Sequence, residues 1–313
     1  MRQKSRIVVV GSVNMDLVIP VDRLSRAGES LAGGDVAFFP GGKGANQACA
    51  AAQLGGAVSF IGQVGRDPFG ATLVASLRQA GVGTDHVGAD DRASGCAFIY
   101  VLPSGENSIV VSLGANSTLT PERALSRLEA LDSVDFVLLQ LEMPFETVDA
   151  VLTWARSRGA TTILDPAPAR PLPSPLLSKV DFLTPNQSEA AVLLGRPSWE
   201  IRDFEDADLA ATGLLALGSS AVIMKLGALG CLAATDGSRT RLHGFRVTAI
   251  DTTAAGDAFN GALAVALAEG MPLADAATFA NAAGAVSVTR RGAQTSLPTR
   301  PEVVRLLDSV VAV

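Results

Sequence analysis

The segment Asp251-Thr252-Thr253-Ala254-Ala255-Gly256-Asp257-Ala258-Phe259-Asn260-Gly261 carries the side chain best placed for chemistry. Small residues at 254–256 precede a long apolar stretch of helical period, so free backbone N–H groups should converge where that helix begins. A helix start of this kind binds anions, particularly a phosphoryl group gathering charge in transit. Asp257 falls in the first turn, beside that hole, where its carboxylate could accept a proton from a substrate hydroxyl. An aspartate there also complements the helix dipole, and spacing alone leaves both roles open.

Three further segments present polar groups at the ends of apolar runs. Gly41-Gly42-Lys43-Gly44-Ala45-Asn46-Gln47 opens a second helix. Its glycines let a ligand approach the backbone, and Lys43 and Asn46 add donors one turn apart. It is not a Walker A loop, because Gly44 follows the lysine and Ala37 stands where the first glycine belongs. Gly11-Ser12-Val13-Asn14-Met15-Asp16 ends the first apolar run and offers Asn14 and Asp16 to a polyhydroxylated ligand, or makes an ordinary Asn/Asp turn. It lacks the later glycines of a dinucleotide fingerprint, which argues against a nicotinamide enzyme. In Pro185-Asn186-Gln187-Ser188-Glu189, Asn186 and Glu189 share a helix face and could hold Mg²⁺ through water. The same letters also make a capping box.

The elements that must position these groups follow from periodicity. Short apolar runs at 7–10, 58–61, 136–139, 161–164, 181–184 and 221–224 read as strands. Helical segments lie between them, at 44–54, 68–80, 121–130, 145–158, 187–194 and 206–217, and three more close the chain at 255–269, 273–288 and 300–310. Unalternating apolar strands followed by helices predict an α/β fold, a mostly parallel sheet covered on both faces. Leu17–Pro40 and Gly95–Leu113 break the pattern; the second reads as a hairpin around Pro103–Asn107. They predict a small, discontinuous β lid from about 12–41 and 95–113 on a single domain spanning 1–313.

Composition removes several function classes. Among 313 residues, 25 Lys+Arg against 31 Asp+Glu give a net charge of −6, unsuited to a general nucleic-acid binder. His86 and His243 are the only histidines and have no ligand-like neighbours, which disfavours a histidine zinc site or a Ser-His-Asp triad. Cys49, Cys96 and Cys231 form no C-x-x-C pattern and read as reduced thiols of a cytoplasmic protein. No export signal is visible at the start. The uncharged stretch Leu209–Met224 is too short and broken to span a bilayer, so no membrane is expected.

Together and in this order, these segments resemble the ribokinase-like carbohydrate kinase family. The resemblance extends over Gly11–Asp16, Gly41–Gln47, Leu139–Pro144, Asp165–Arg170, Asn186–Glu189, Asp251–Gly261 and Thr289–Pro298, essentially the whole chain. It implies a Rossmann-like three-layer αβα fold and transfer of the ATP γ-phosphoryl group to the 5-hydroxyl of D-ribose. A deoxyribokinase, a fructokinase or a non-catalytic sugar-binding protein is the alternative. By this likeness Asp257 is the base, and the amides of Ala254, Ala255, Gly256 and Asp257 form the anion hole. Asn14, Asp16, Gly42, Lys43, Asn46 and Glu142 match sugar-holding positions. Asn186, Lys225, Gly227 and Asn281 match nucleotide-side positions, and Glu189 the acidic residue that organises Mg²⁺. Asp251, Thr253, Ser287, Arg290, Gly292 and Ser296 match a K⁺ site, several through carbonyls alone. A homodimer joined through the lid is also implied. An aspartate near its ordinary pKa of ~3.9 would suffice as base, since it is ionised at neutral pH.

Overall fold

The computed structural model of the protein describes residues 5–311, so the basic start at 1–4 lies outside the described residues. In chain order the strands are β1 (Arg6–Val10), β2 (Asn14–Pro20), β3 (Ala37–Gly41), β4 (Ala57–Gly65), β5 (Val87–Asp90), β6 (Gly95–Val101) and β7 (Asn107–Ser112). They continue with β8 (Phe136–Leu139), β9 (Thr161–Leu164), β10 (Phe182–Leu183), β11 (Ala221–Lys225), β12 (Gly230–Thr235) and β13 (Ser238–His243). The helices are α1 (Lys43–Gln53), α2 (Pro68–Gln79), α3 (Pro121–Glu129), α4 (Phe145–Arg158) and α5 (Ser174–Leu177). After them come α6 (Gln187–Leu193), α7 (Phe204–Ala216), α8 (Ala255–Ala268), α9 (Leu273–Ser287) and α10 (Arg300–Val311).

Nine strands form one sheet in the order β13-β12-β11-β10-β9-β8-β1-β4-β5. It is parallel from β11 through β5, and antiparallel where β12 and β13 extend it. Side chains alternate across it as the two-residue strand period requires. Ile7 and Val9 pack with the α1, α8 and α9 side, whereas Val8 and Val10 pack with the α3, α4 and α7 side. Both layers bury β1, so its apolar run is unbroken. Among the described residues no helix is long and apolar enough to cross a membrane.

Several boundaries differ from the sequence expectation for local reasons. The expected strand at 181–184 contracts to Phe182–Leu183, because the Asp181 carboxylate turns to the Thr162 amide and hydroxyl, at 2.8 and 2.9 Å. Helix α7 starts at Phe204 rather than 206, since Asp203 caps it by accepting from the Glu205 and Asp206 amides. The hairpin β12–β13 and the short edge strand β5 are additions to the expected set.

A second sheet has the order β3-β2-β6-β7. β2 pairs antiparallel with β3 and parallel with β6, and β6 pairs antiparallel with β7. Only Gly11-Ser12-Val13 separates β1 of the large sheet from β2 of the small one, and β3 runs through Gly42 directly into α1. Asn14, Asp16, Lys43 and Asn46 therefore all sit at the joint between the sheets. The joint needs close backbone approach: a Cβ on Gly44 would lie 2.7 Å from the Gly11 Cα. Gly42 adopts φ 90°, and a Cβ there would meet the Asn14 amide nitrogen at 2.7 Å.

Candidate active site

Helix α8 begins from a left-handed residue. Ala254 has φ 59°, the single positive-φ non-glycine among the described residues, and this conformation costs alanine about 1–2 kcal/mol. The turn leaves the Gly256 and Asp257 N–H groups without a backbone acceptor, while the Ala255 N–H donates to the Thr252 carbonyl at 3.2 Å. The first free amides of a 14-residue apolar helix thus open onto a cleft. Of the four amides expected there, that of Ala255 is partly committed to the turn.

Asp257 is 6% exposed. Its Oδ2 accepts from Asn46 Nδ2 and its Oδ1 from Gln47 Nε2, both at 3.0 Å. Burial pushes its pKa up to about 6. The Lys43 ammonium opposes this, the Asp165 carboxylate adds to it, and the two amide hydrogen bonds lower it again. An ordinary carboxylate would suffice as base, but here desolvation outweighs the positive charge and both hydrogen bonds.

On the side of the small sheet, Asp16 and Glu142 add two further buried carboxylates near Asp257. Burial raises the Asp16 pKa to about 7, with Glu142 and Asp257 adding to the effect. A Cβ on Gly41 would sit 2.2 Å from the Asp16 carboxylate, so only glycine leaves that side chain its place. Asn14 Oδ1 accepts from Asn116 Nδ2 at 2.8 Å, and Glu142 Oε2 accepts from Ser12 Oγ at 2.5 Å and from the Lys43 amide at 3.2 Å. Burial pulls the Lys43 ammonium pKa down, yet Asp257, Asp165, Glu142 and Glu189 together reverse this and leave it raised. Carboxylates, amides and one ammonium gathered in this way suit a ligand rich in hydroxyls.

On the other side of Asp257 lies a cleft of about 670 Å³. Asn186, Glu189, Lys225, Gly227 and Asn281 all line it, together with Ala254, Ala255 and Gly256. Asn186 and Glu189 make the full capping box: Asn186 Oδ1 accepts from the Glu189 amide at 2.8 Å, and Glu189 Oε2 accepts from the Asn186 amide at 2.7 Å. Burial raises the Glu189 pKa, Lys225 counteracts it and Asp165 reinforces it. The capping bond uses one carboxylate oxygen, so capping does not exhaust the group. Asn281 Nδ2 donates to the His243 carbonyl at 2.9 Å and faces the far end of the cleft.

A cluster of polar groups suited to hydroxyls and a cleft that free helix amides face therefore meet at one buried carboxylate. The pattern of pfkB family carbohydrate kinases matches residues 4–300. The chain belongs to that family. Ribokinases of Haemophilus influenzae and Bacillus subtilis are 42% and 43% identical to this carbohydrate kinase, over 97% and 96% of its chain and 99% of each relative. The structure of Arabidopsis thaliana ribokinase complexed with ribose and ATP superposes with a TM-score of 0.89 at 33% identity, covering 97% of this chain and 99% of that one.

The remaining positions implied by the family resemblance lie in the loop before α8, at the end of α9 and in the turns that follow it. Asp251 Oδ1 accepts from the Thr253 amide and hydroxyl at 2.9 and 2.6 Å, and its Oδ2 from the Gly292 amide at 2.9 Å. Burial tends to raise the Asp251 pKa, but the Gly292 and Thr253 bonds leave it lowered. Ser287 and Ser296 donate their hydroxyls to the Gly284 and Ala293 carbonyls at 2.8 and 2.9 Å. The Arg290 guanidinium pairs with Glu302 of α10 at 3.0 Å and not with Asp251.

Four polar residues of the site escaped the sequence reading as functional groups. Asp165, buried, pairs at 2.8 Å with the mostly buried Lys225. Gln47, Gln140 and Asn116 complete the network around the two pockets. Asp165 and Gln140 each directly follow a strand, β9 and β8, on the side where α/β folds bind ligands, and that position was a signal available in the sequence.

Proposed function

We propose that this carbohydrate kinase transfers the γ-phosphoryl group of ATP to the 5-hydroxyl of D-ribose, with Asp257 as general base. The observation that supports this most is the position of the Asp257 carboxylate, held by Asn46 and Gln47 beside the α8 amides. Asn14, Asp16, Gly42, Lys43, Asn46 and Glu142 hold the sugar hydroxyls and turn one toward Asp257. Asn186, Lys225, Gly227 and Asn281 hold the nucleotide along the cleft. The Gly256 and Asp257 amides, with those of Ala254 and Ala255, receive the charge that spreads over the transferring group. Positioning and electrostatics do most of the work in a loose transfer, and Asp257 takes the hydroxyl proton late. The small sheet acts as a lid of a single domain and excludes water that would compete as acceptor. ADP release measured with D-ribose, 2-deoxyribose, fructose and adenosine tests the assignment. Ribose should give the highest kcat/KM; preference for another acceptor would reassign the substrate, and no acceptor-dependent ADP would refute the kinase reading.

Two cations fit the residues present. Glu189 keeps a carboxylate oxygen beside the cleft, a hard donor suited to Mg²⁺ held through water and phosphate oxygens. Asp251, Thr253, Ser287, Arg290, Gly292 and Ser296 contribute one carboxylate, hydroxyls and carbonyls, an oxygen-only set suited to K⁺. Bound there, the monovalent ion supplies positive field next to the 254–257 amides. Exchange of K⁺ for tetramethylammonium is expected to lower turnover roughly tenfold, and an unchanged rate would remove the K⁺ assignment.

The two raised carboxylates set the pH response. Asp257, at about 6, and Asp16, at about 7, must both be ionised to work. The kcat/KM for ribose is expected to be flat above about pH 8 and to fall about tenfold per unit through the Asp16 range. Below the Asp257 range the fall steepens. A profile level down to about pH 5 would contradict both roles.

The small sheet exposes Phe38, Ile109, Val110 and Val111, at 50%, 51%, 59% and 43%. They lie on β3 and β7, the two edges of the small sheet, and exposed apolar edge strands favour pairing with another chain. The proposed assembly is a homodimer joined through the lids. Sedimentation should show a dimer for the natural chain and a monomer for Val110→Lys; a monomeric natural chain would refute it. The three free cysteines, two of them fully buried, suit the reducing, ATP-containing cytoplasm proposed as its location.

A further inference from the structure

Gln47 has a single side-chain amide between two carboxylates. Its Nε2 lies 3.0 Å from Asp257 Oδ1 and 2.9 Å from Asp165 Oδ2, so each amide hydrogen goes to a different acid. Asp165 uses its other oxygen to pair with Lys225 Nζ at 2.8 Å. The amide cannot be turned over, because Gln47 Oε1 would then face two carboxylates that have nothing to donate. Gln140 reinforces this by donating its Nε2 to Gln47 Oε1 at 2.6 Å. Gln140 reaches that position only because residue 11 is glycine; a Cβ there would lie 2.2 Å from Gln140 Oε1. All four polar side chains are buried or nearly so: Gln47 1%, Gln140 0%, Asp165 2% and Asp257 6% exposed.

We propose that Gln47, oriented by Gln140, is a positioning residue that ties the Asp257 carboxylate to the Asp165–Lys225 ion pair. The proton acceptor and the cation lining the phosphate-side cleft are then held as one unit across 60 to 210 residues of chain. The inference rests on the reading of Asp257 as base. Its consequence is electrostatic as well as geometric. Two like charges, Asp165 and Asp257, stand on either side of one amide, and each is stabilised by a hydrogen it does not share. The other charged groups facing Asp257 are Lys43 from α1 and Asp16 from β2, and neither is bonded to Gln47. Loss of the amide should therefore make Asp257 harder to ionise and leave the sugar pocket intact.

The test is the pH profile of single-turnover phosphoryl transfer from MgATP to D-ribose. Gln47→Met keeps an unbranched side chain of similar length without the donors. Its acid limb is expected to move up by about one pH unit, making the rate about fivefold lower than the natural enzyme near pH 6 and much closer to it near pH 9. Gln140→Met removes only the orienting bond and should move the limb the same way by less. An unmoved limb in folded Gln47→Met overturns the proposal. Should that variant fail to fold, an unmoved limb in Gln140→Met overturns it and an upward shift supports it. Asp257→Asn separates the two levels: near-normal transfer in that variant would refute the base itself. Loss of transfer there, with an unmoved limb in Gln47→Met, would refute only the positioning role.

Discussion

Asp257→Asn is expected to lower ribose-dependent ADP formation by ~10²–10⁴-fold, the usual worth of a positioned base. Asparagine fills the same volume and still offers one oxygen to Asn46 or Gln47, so the pocket should keep its shape. Sugar and nucleotide affinities should change little, because asparagine keeps the volume that Asp257 contributes to the walls of both. Stability should not suffer either. A buried carboxylate whose pKa is raised from 3.8 to about 6 stabilises the fold fully only below its unfolded value, and that contribution is lost as pH rises through about 6. At neutral pH the natural protein therefore carries an unfavourable charge that the variant lacks, and Asp257→Asn should melt no lower than the natural chain. Reduced turnover with intact melting and intact binding is the expected combination. Near-normal turnover would remove Asp257 as base.

The second large effect is on stability. Lys225 and Asp165 are 13% and 3% exposed at their side chains and pair at 2.8 Å. Asp165→Leu would leave the Lys225 ammonium without its partner and Gln47 with one unused hydrogen. Breaking a buried pair from one side typically costs about 3–5 kcal/mol, because the remaining charge stays desolvated. Urea denaturation should show a loss of that order. Adding Lys225→Met should recover most of it, since a matched apolar pair avoids the stranded charge. Phosphoryl transfer should not return in the double variant, because the cleft then lacks the Lys225 ammonium. A single variant within about 1 kcal/mol of the natural protein would contradict a structural role for the pair.

The ease of reading the fold from sequence follows burial. β1, β8, β9 and β11 bury side chains on both faces, so each carries a run of apolar residues that shows in the sequence. β13, Ser-Arg-Thr-Arg-Leu-His, is an exposed edge strand held by backbone pairing to β12, and its residues carry no hydrophobic signal. The site divides similarly. Asp257, Lys43, Asn46 and Glu189 lie in short motifs at helix starts and are visible locally. Asp165 and Gln140 matter through bonds to Gln47 that span 118 and 93 residues, and no window of sequence contains both partners. The raised pKa values of Asp257 and Asp16 were likewise beyond reach, because desolvation is created only when distant segments of the folded chain pack around them.

The most direct measurement is phosphorus NMR of the product made from MgATP and D-ribose in K⁺ buffer. Transfer to the 5-hydroxyl requires a new phosphate monoester coupled to the two methylene protons of C5, appearing with ADP in equal amounts. A phosphate on any other carbon, or ADP formed without a sugar ester, would contradict the proposed reaction.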